Sequence, residues 1–295
     1  MTTIIDLQTA LLDLLQKIRD SEIKLIIGGG FGIYLKTNHV KSLEIRTLLD
    51  QWPEPRSTND LDLFLRPELL IDSSRLKPLV NAITGLDYQV VPGAENYQFV
   101  KPGPGGTEAG SIKIDILTGP QSFFQGTRVK ADTRRARPKP SVGMHAHPVD
   151  EALTLEEGLL SISLAGTLSS GNTWESEIFL PHPYTFSMMK LFAFKDRLND
   201  PDKEFSRYHA LDLYTILATT TKDEWEYALR LHNRYKNDPF TIKAAHLVSE
   251  YFSAPKRLGM IRLRESPYFR PELQNEKFMS VLQELFPVGA KSFHR

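Results

Sequence analysis

The pattern of apolar and polar positions predicts a first part that mixes strands with helices and a second part built of helices alone. Leu7, Leu11, Leu14, Leu15 and Ile18 recur at helical spacing and predict an amphipathic helix over 6–19. Lys24-Leu25-Ile26-Ile27 reads as a short strand running straight into Gly28-Gly29-Gly30, with helices expected over 31–36 and about 43–49. Leu61, Leu63 and Leu65 alternate with polar positions and predict a strand beginning at Asp60. Residues 74–86 have helical spacing, and 88–91 and 97–100 read as paired strands around Pro92-Gly93. The Gly- and Pro-rich stretch 102–110 predicts a loop, and 111–117 alternates as a strand. Residues 128–139 end in prolines and predict an exposed loop. Beyond Pro183 helices are expected over 188–198, 203–218, 222–235, 242–252 and 271–286. The expected fold class is therefore α+β: an α/β domain over 1–175, then an α-helical domain over 176–295.

Composition narrows the chemistry. The 295 residues carry a formal net charge of zero, so binding of a polyanion needs a local patch rather than a whole-molecule field. There is no cysteine, which excludes disulfides, thiolate nucleophiles and Cys-ligated metal. Residues 1–20 alternate leucines with charged and amide side chains, unlike a signal peptide. No apolar run approaches the ~20 residues a membrane span needs. A cytoplasmic protein with no membrane partner is the expectation.

Asp60-Leu61-Asp62-Leu63-Phe64-Leu65 places both carboxylates on the face opposite the leucines, with Cα atoms roughly 6.6–6.8 Å apart at strand rise. Two such carboxylates repel unless a cation neutralises them. A bare Asp-x-Asp is more often a solvated strand pair, but two features weigh against that. Ile112-Lys113-Ile114-Asp115-Ile116-Leu117 leaves a third aspartate off its isoleucine face, and three carboxylates suit two magnesium ions ~3.5–4 Å apart. The glycine triplet sits between a strand and a helix, where backbone amides approach phosphate closely. A dinucleotide fingerprint opening at Gly28 needs a glycine where Ile33 stands, and no Gly-Lys-Ser/Thr follows to complete a P-loop.

Gly29-Gly30, then Arg56-Ser57-Thr58-Asn59-Asp60-Leu61-Asp62-Leu63, then Asp115, then the helix Lys190-Leu191-Phe192-Ala193-Phe194-Lys195-Asp196-Arg197, together resemble the polymerase-β-like nucleotidyltransferase superfamily. Within it the chain is most similar to AbiEii-type toxins, over roughly residues 25–215. The resemblance implies a mixed sheet with flanking helices and a C-terminal helical region. It implies Mg2+ held by Asp60, Asp62 and Asp115, with the same three residues catalytic. It implies a nucleoside triphosphate held by Gly29, Gly30, Ser57 and Lys190. It implies transfer of a nucleoside monophosphate to a tRNA or protein acceptor, in a toxin with a cognate antitoxin. An antibiotic nucleotidyltransferase and an idle protein-interaction member are the rival expectations. The chain departs from the family at Phe31 or Gly30, depending on alignment, where a small hydroxyl residue is usual, and at Tyr208-His209-Ala210-Leu211-Asp212-Leu213, which keeps Asp212 but not the leading Lys-Asp.

Three further groups stand out. Arg128, Lys130, Arg134, Arg135, Arg137 and Lys139 offer a route to an RNA acceptor, against the commoner reading of a solvated loop. His145 and His147 lack a third ligand nearby and are a weak metal signal. Tyr184, Phe186, Phe192 and Phe194 read as helix packing rather than a base-stacking platform.

Overall fold

The computed structural model describes residues 3–54, 56, 58–103, 106–108 and 110–288, apart from the side chains of 203–205. The chain forms two compact units, residues 1–35 with 57–181 and residues 36–56 with 182–295.

In chain order the strands are β1 (Ile26–Ile27), β2 (Asp60–Leu65), β3 (Gln89–Val90), β4 (Gln98–Lys101), β5 (Ile112–Thr118), β6 (Lys130–Ala131), β7 (Ala136–Arg137), β8 (His147–Pro148), β9 (Leu160–Thr167) and β10 (Thr173–Leu180). The helices are α1 (Ile4–Lys17), α2 (Gly29–Ser42), α3 (Pro67–Ile71), α4 (Lys77–Gly85), α5 (Pro183–Asp196), α6 (Lys203–Ala218), α7 (Lys222–Tyr235), α8 (Pro239–Tyr251), α9 (Leu258–Arg264) and α10 (Asn275–Leu285).

Among the described residues of the first unit, eight strands form one mixed sheet in the order β3-β4-β5-β2-β1-β10-β9, with β8 also paired to β5. β2 and β5 run parallel, whereas β1–β2, β4–β5 and β9–β10 are antiparallel. Leu61, Leu63 and Leu65 are fully buried, as alternation requires, and the opposite face carries the aspartates. α1 starts at a capping box between Thr3 and Asp6. Its apolar face, including Leu7, Leu11 and Leu12, is buried, and it packs on β9 and β10. The approach to β9 is close enough that a Cβ on Gly166 would lie 2.8 Å from Leu12 and 2.9 Å from Gln8.

The second unit is organised around α5, whose residues from Pro183 to Phe192 are all buried. A helix buried on every side carries no amphipathic stripe. Tyr184, Phe186, Phe192 and Phe194 are core side chains, with Tyr184 beside Phe286 and Phe194 beside Phe252. α6, α7 and α8 pack on α5.

Two expectations are corrected, and one stretch holds strands that none foresaw. Residues 43–49 form turns and an isolated bridge from Thr47 to Thr221, not a helix, and Leu43 and Ile45 stay exposed. The basic segment contains a two-stranded hairpin, β6–β7, tied down by Ala136 pairing with Ala146. The stretch before Pro183 holds β9 and β10, eight residues each, which no expectation covered.

Candidate active site

β2 and β5 are parallel neighbours, and their register sets Asp62 opposite Asp115 and Asp60 opposite Lys113. Parallel neighbours lie about 4.8 Å apart, and register partners face the same way. The three carboxylates therefore share one face of the sheet. Gln98 on β4 is opposite Asp115 from the other side and gives it a side-chain hydrogen bond.

The glycines meet this face from β1. The amide of Gly28 donates to the carbonyl of Asp62 at 2.8 Å, and the amide of Gly32 donates to the carbonyl of Gly28 at 2.8 Å as α2 begins. Gly29 has φ of +60°, and a Cβ placed there would lie 1.6 Å from Oδ2 of Asp62. An alanine thus has neither the backbone freedom nor the space. A Cβ on Gly28 would meet the ring of Phe64 at 2.6 Å. α2 begins at Gly29, beside the Asp62 carboxylate, a placement the helix dipole favours. Gly30 follows in the first turn, partly exposed. Ser57 lies outside the described residues.

Asp115 is pushed up from 3.8 to about 7, by burial first and then by the charges of Asp62 and Asp60, against opposing effects of Gln98 and Lys113. This excess of negative charge is what a bound cation relieves, and carboxylate oxygen is the donor type that suits Mg2+. Among the described residues no group of three or more His, Asp or Glu side chains is drawn together as a finished metal centre. Mg2+ commonly takes one or two carboxylates together with substrate phosphates rather than a closed protein cage, so the donor set fits the ion.

A pH dependence follows. Because the folded value of Asp115 exceeds the unfolded one, the folded chain holds the extra proton between about pH 4 and pH 7. Stability falls as pH rises through that window. A move from 3.8 to about 7 corresponds to roughly 4 kcal/mol at most, reduced to about 2 by solvent screening at this half-buried group. Asp115→Asn removes the decline. Thermal melts without metal are expected to show the variant above the parent at pH 8, with the gap closing towards pH 4. A constant gap across that range would contradict the assignment.

Within the helical unit, Lys190 of α5 contacts Asp212 of α6 at 2.7 Å, and Arg56 holds the same carboxylate in a fork at 2.9 and 3.0 Å. Burial pushes Asp212 up, but Arg56 and Lys190 outweigh it and hold the carboxyl well below its usual range. Arg56 also stacks over the Tyr208 ring at 5.2 Å. His209 is driven down to about 3 by burial and then by Lys190, so it is neutral at ordinary pH. Arg197 pairs with Asp200 at 3.0 Å, and Arg207 with Glu265 at 3.4 Å. A second buried pair joins Lys36 of α2 to Glu224, which also closes the capping box of α7 with Thr221. Burial lowers Lys36, and it lowers the neighbouring His182 to about 4.

The basic segment is partly neutralised, by Asp132 from within and by Glu95 from outside. Arg135 pairs with Glu95 and stacks over Tyr97, and Arg137 pairs with Asp132. His147 faces the carbonyl of Arg134 at 2.9 Å through Nδ1 and stacks on Tyr97. Lys139 is lowered by Lys130 first, then by burial and the charge of Arg137.

Sequence reasoning missed the fork from Arg56 to Asp212, the Gln98 neighbour of Asp115 and the Lys36–Glu224 pair. Arg56 was legible only as a motif residue. The other two depend on strand and helix partners far away in the chain.

No protein-family model matches the chain, and no curated protein matches it. Several solved structures resemble it, and two illustrate the likeness. An antigenic nucleotidyltransferase-like protein from Paracoccidioides brasiliensis is 13% identical, with a TM-score of 0.37, over 85% of this chain and 96% of that one. The antibiotic-resistance factor ANT(2'')-Ia, solved in solution, is 12% identical, with a TM-score of 0.32, over 79% of this chain and 100% of the other. The first of the two is, by its own description, nucleotidyltransferase-like. The mixed sheet with flanking helices is the architecture of this chain itself.

Proposed function

We propose that the chain is a magnesium-dependent nucleotidyltransferase that moves a nucleoside monophosphate from a triphosphate to an acceptor hydroxyl. The observation that carries this reading is the register of Asp62 with Asp115 beside a glycine turn shaped around the Asp62 carboxylate.

In the proposed reaction the acceptor oxygen attacks the α-phosphorus of the triphosphate. The bond from that phosphorus to the bridging oxygen breaks, and pyrophosphate departs with the electron pair. Asp115 takes the proton from the acceptor hydroxyl as general base. Asp60 and Asp62 would hold the ion, with Asp115 completing the metal site. Mg2+, when bound, supplies charge neutralisation for the phosphates. The glycine turn holds the triphosphate through backbone amides, and α2 adds its positive end. Phosphoryl-type transfer draws mainly on such positioning and electrostatics.

The nucleotide contacts of Gly30, Ser57 and Lys190 belong to the proposal through the AbiEii resemblance, as do the toxin-type role, a cognate antitoxin and a tRNA or protein acceptor. The cations of the basic hairpin favour RNA among the acceptors. The test incubates purified protein with Mg2+, each α-labelled triphosphate and total cellular RNA. Label entering RNA, and lost on chelation, supports the reading. Absence of transfer from every triphosphate to RNA or protein sinks it.

A further inference from the structure

Lys113 was not among the expected site residues, yet its position ties it to the carboxylates. It lies opposite Asp60 in the β2–β5 register and two residues before Asp115, so strand alternation puts it on the carboxylate face. It is exposed, and its charge acts on Asp115. The sheet order β5-β2-β1 sets β2 between Lys113 and the glycine turn. Lys113 thus stands across the carboxylates from Gly28 and Gly29.

On the outer side its neighbour is Val100, and β4 carries Gln98, Phe99, Val100 and Lys101 with no acidic residue. Lys101 is held over the Tyr88 ring at 6.0 Å. β4 therefore adds no negative charge beside the carboxylates. In-line displacement needs the attacking oxygen on the side of the α-phosphorus away from pyrophosphate. With the triphosphate on the glycine turn, the acceptor comes in over β5.

We propose that Lys113 is an acceptor-binding residue that contacts a backbone phosphate of a nucleic-acid acceptor and so selects a polyanion over a cationic small molecule. This rests on the nucleotidyltransferase reading above. A lysine here attracts phosphodiester and repels a polyamine, so one side chain supplies both halves of the discrimination.

The test compares the parent, Lys113→Gln and Lys113→Arg by filter binding of labelled total cellular RNA across a salt series. Calorimetry with Mg2+ and a non-hydrolysable triphosphate runs in parallel. The glutamine variant is expected to lose about three- to tenfold in RNA affinity at low salt, with a log–log salt slope shallower by roughly 0.7, as for one lost phosphate contact to a single strand. The arginine variant is expected to restore both, and nucleotide affinity to stay within about twofold in all three. Unchanged RNA affinity and slope in Lys113→Gln overturns the inference, as does a parent that binds no RNA. A fall confined to nucleotide affinity overturns it too, because it moves Lys113 to the triphosphate side. Normal nucleotide binding with a flat RNA series sinks this inference alone. A parent without magnesium-dependent nucleotide affinity sinks the underlying reading as well.

Discussion

Asp62→Asn is expected to lower nucleotidyl transfer by roughly a thousandfold or more, since the metal clamp contributes several kcal/mol to such a transition state. The amide keeps the shape of the side chain, so the close approach to Gly29 and the buried leucines behind β2 are retained. What changes is charge. One of the two like charges that push Asp115 up is removed, so the metal-free variant is expected to melt no lower than the parent at pH 8. Label-transfer kinetics and thermal melts on the same preparation separate the two effects. Retention of activity within tenfold would exclude Asp62 from the chemistry, whereas a matching fall in melting temperature would assign it to structure.

Asp212→Ala carries the largest expected cost in stability, about 3–5 kcal/mol, the range for breaking a buried ion pair from one side. Lys190 and Arg56 both direct their charge at this carboxylate, and Asp212 and Lys190 are 3% and 7% exposed. Its removal strands a buried ammonium and a part-buried guanidinium. Because the folded carboxyl lies below its unfolded value, its contribution is complete above about pH 4 and disappears as the pH falls further. Urea unfolding at pH 7 and pH 3 is therefore expected to show a large gap between parent and variant that narrows in acid. A loss under 1 kcal/mol at pH 7 would mean the two cations find other partners.

Local pattern was informative where one element decides the outcome. Strand β2 follows from three leucines and two aspartates, and the bounds of α6 and α7 coincide with helical periodicity. It failed where partners decide. Residues 43–49 have helical spacing but end in a bridge to Thr221, and the alternation in β9 is diluted by Ser, Ala and Gly. Asp60, Asp62 and Asp115 were legible because strand period alone assigns a face. That Asp62 and Asp115 are register partners is a fact about two strands and not about either. Segment 36–56 groups with the C-terminal helices, although it lies between two parts of the sheet unit in sequence. The fork from Arg56 to Asp212 spans 156 residues, a pairing no spacing rule reaches.

β9 is the last strand on its side of the sheet, and such a strand is a template for further chains. The side chain of Gln8 donates to the carbonyl of Ala165 at 2.7 Å, and that of Thr9 to the carbonyl of Thr167 at 2.9 Å. Two polar residues on an otherwise leucine-rich helix thus occupy backbone acceptors that a neighbouring molecule could use to extend the sheet. The leading helix covers the core and also keeps the sheet finite, guarding the molecule against edge-to-edge association.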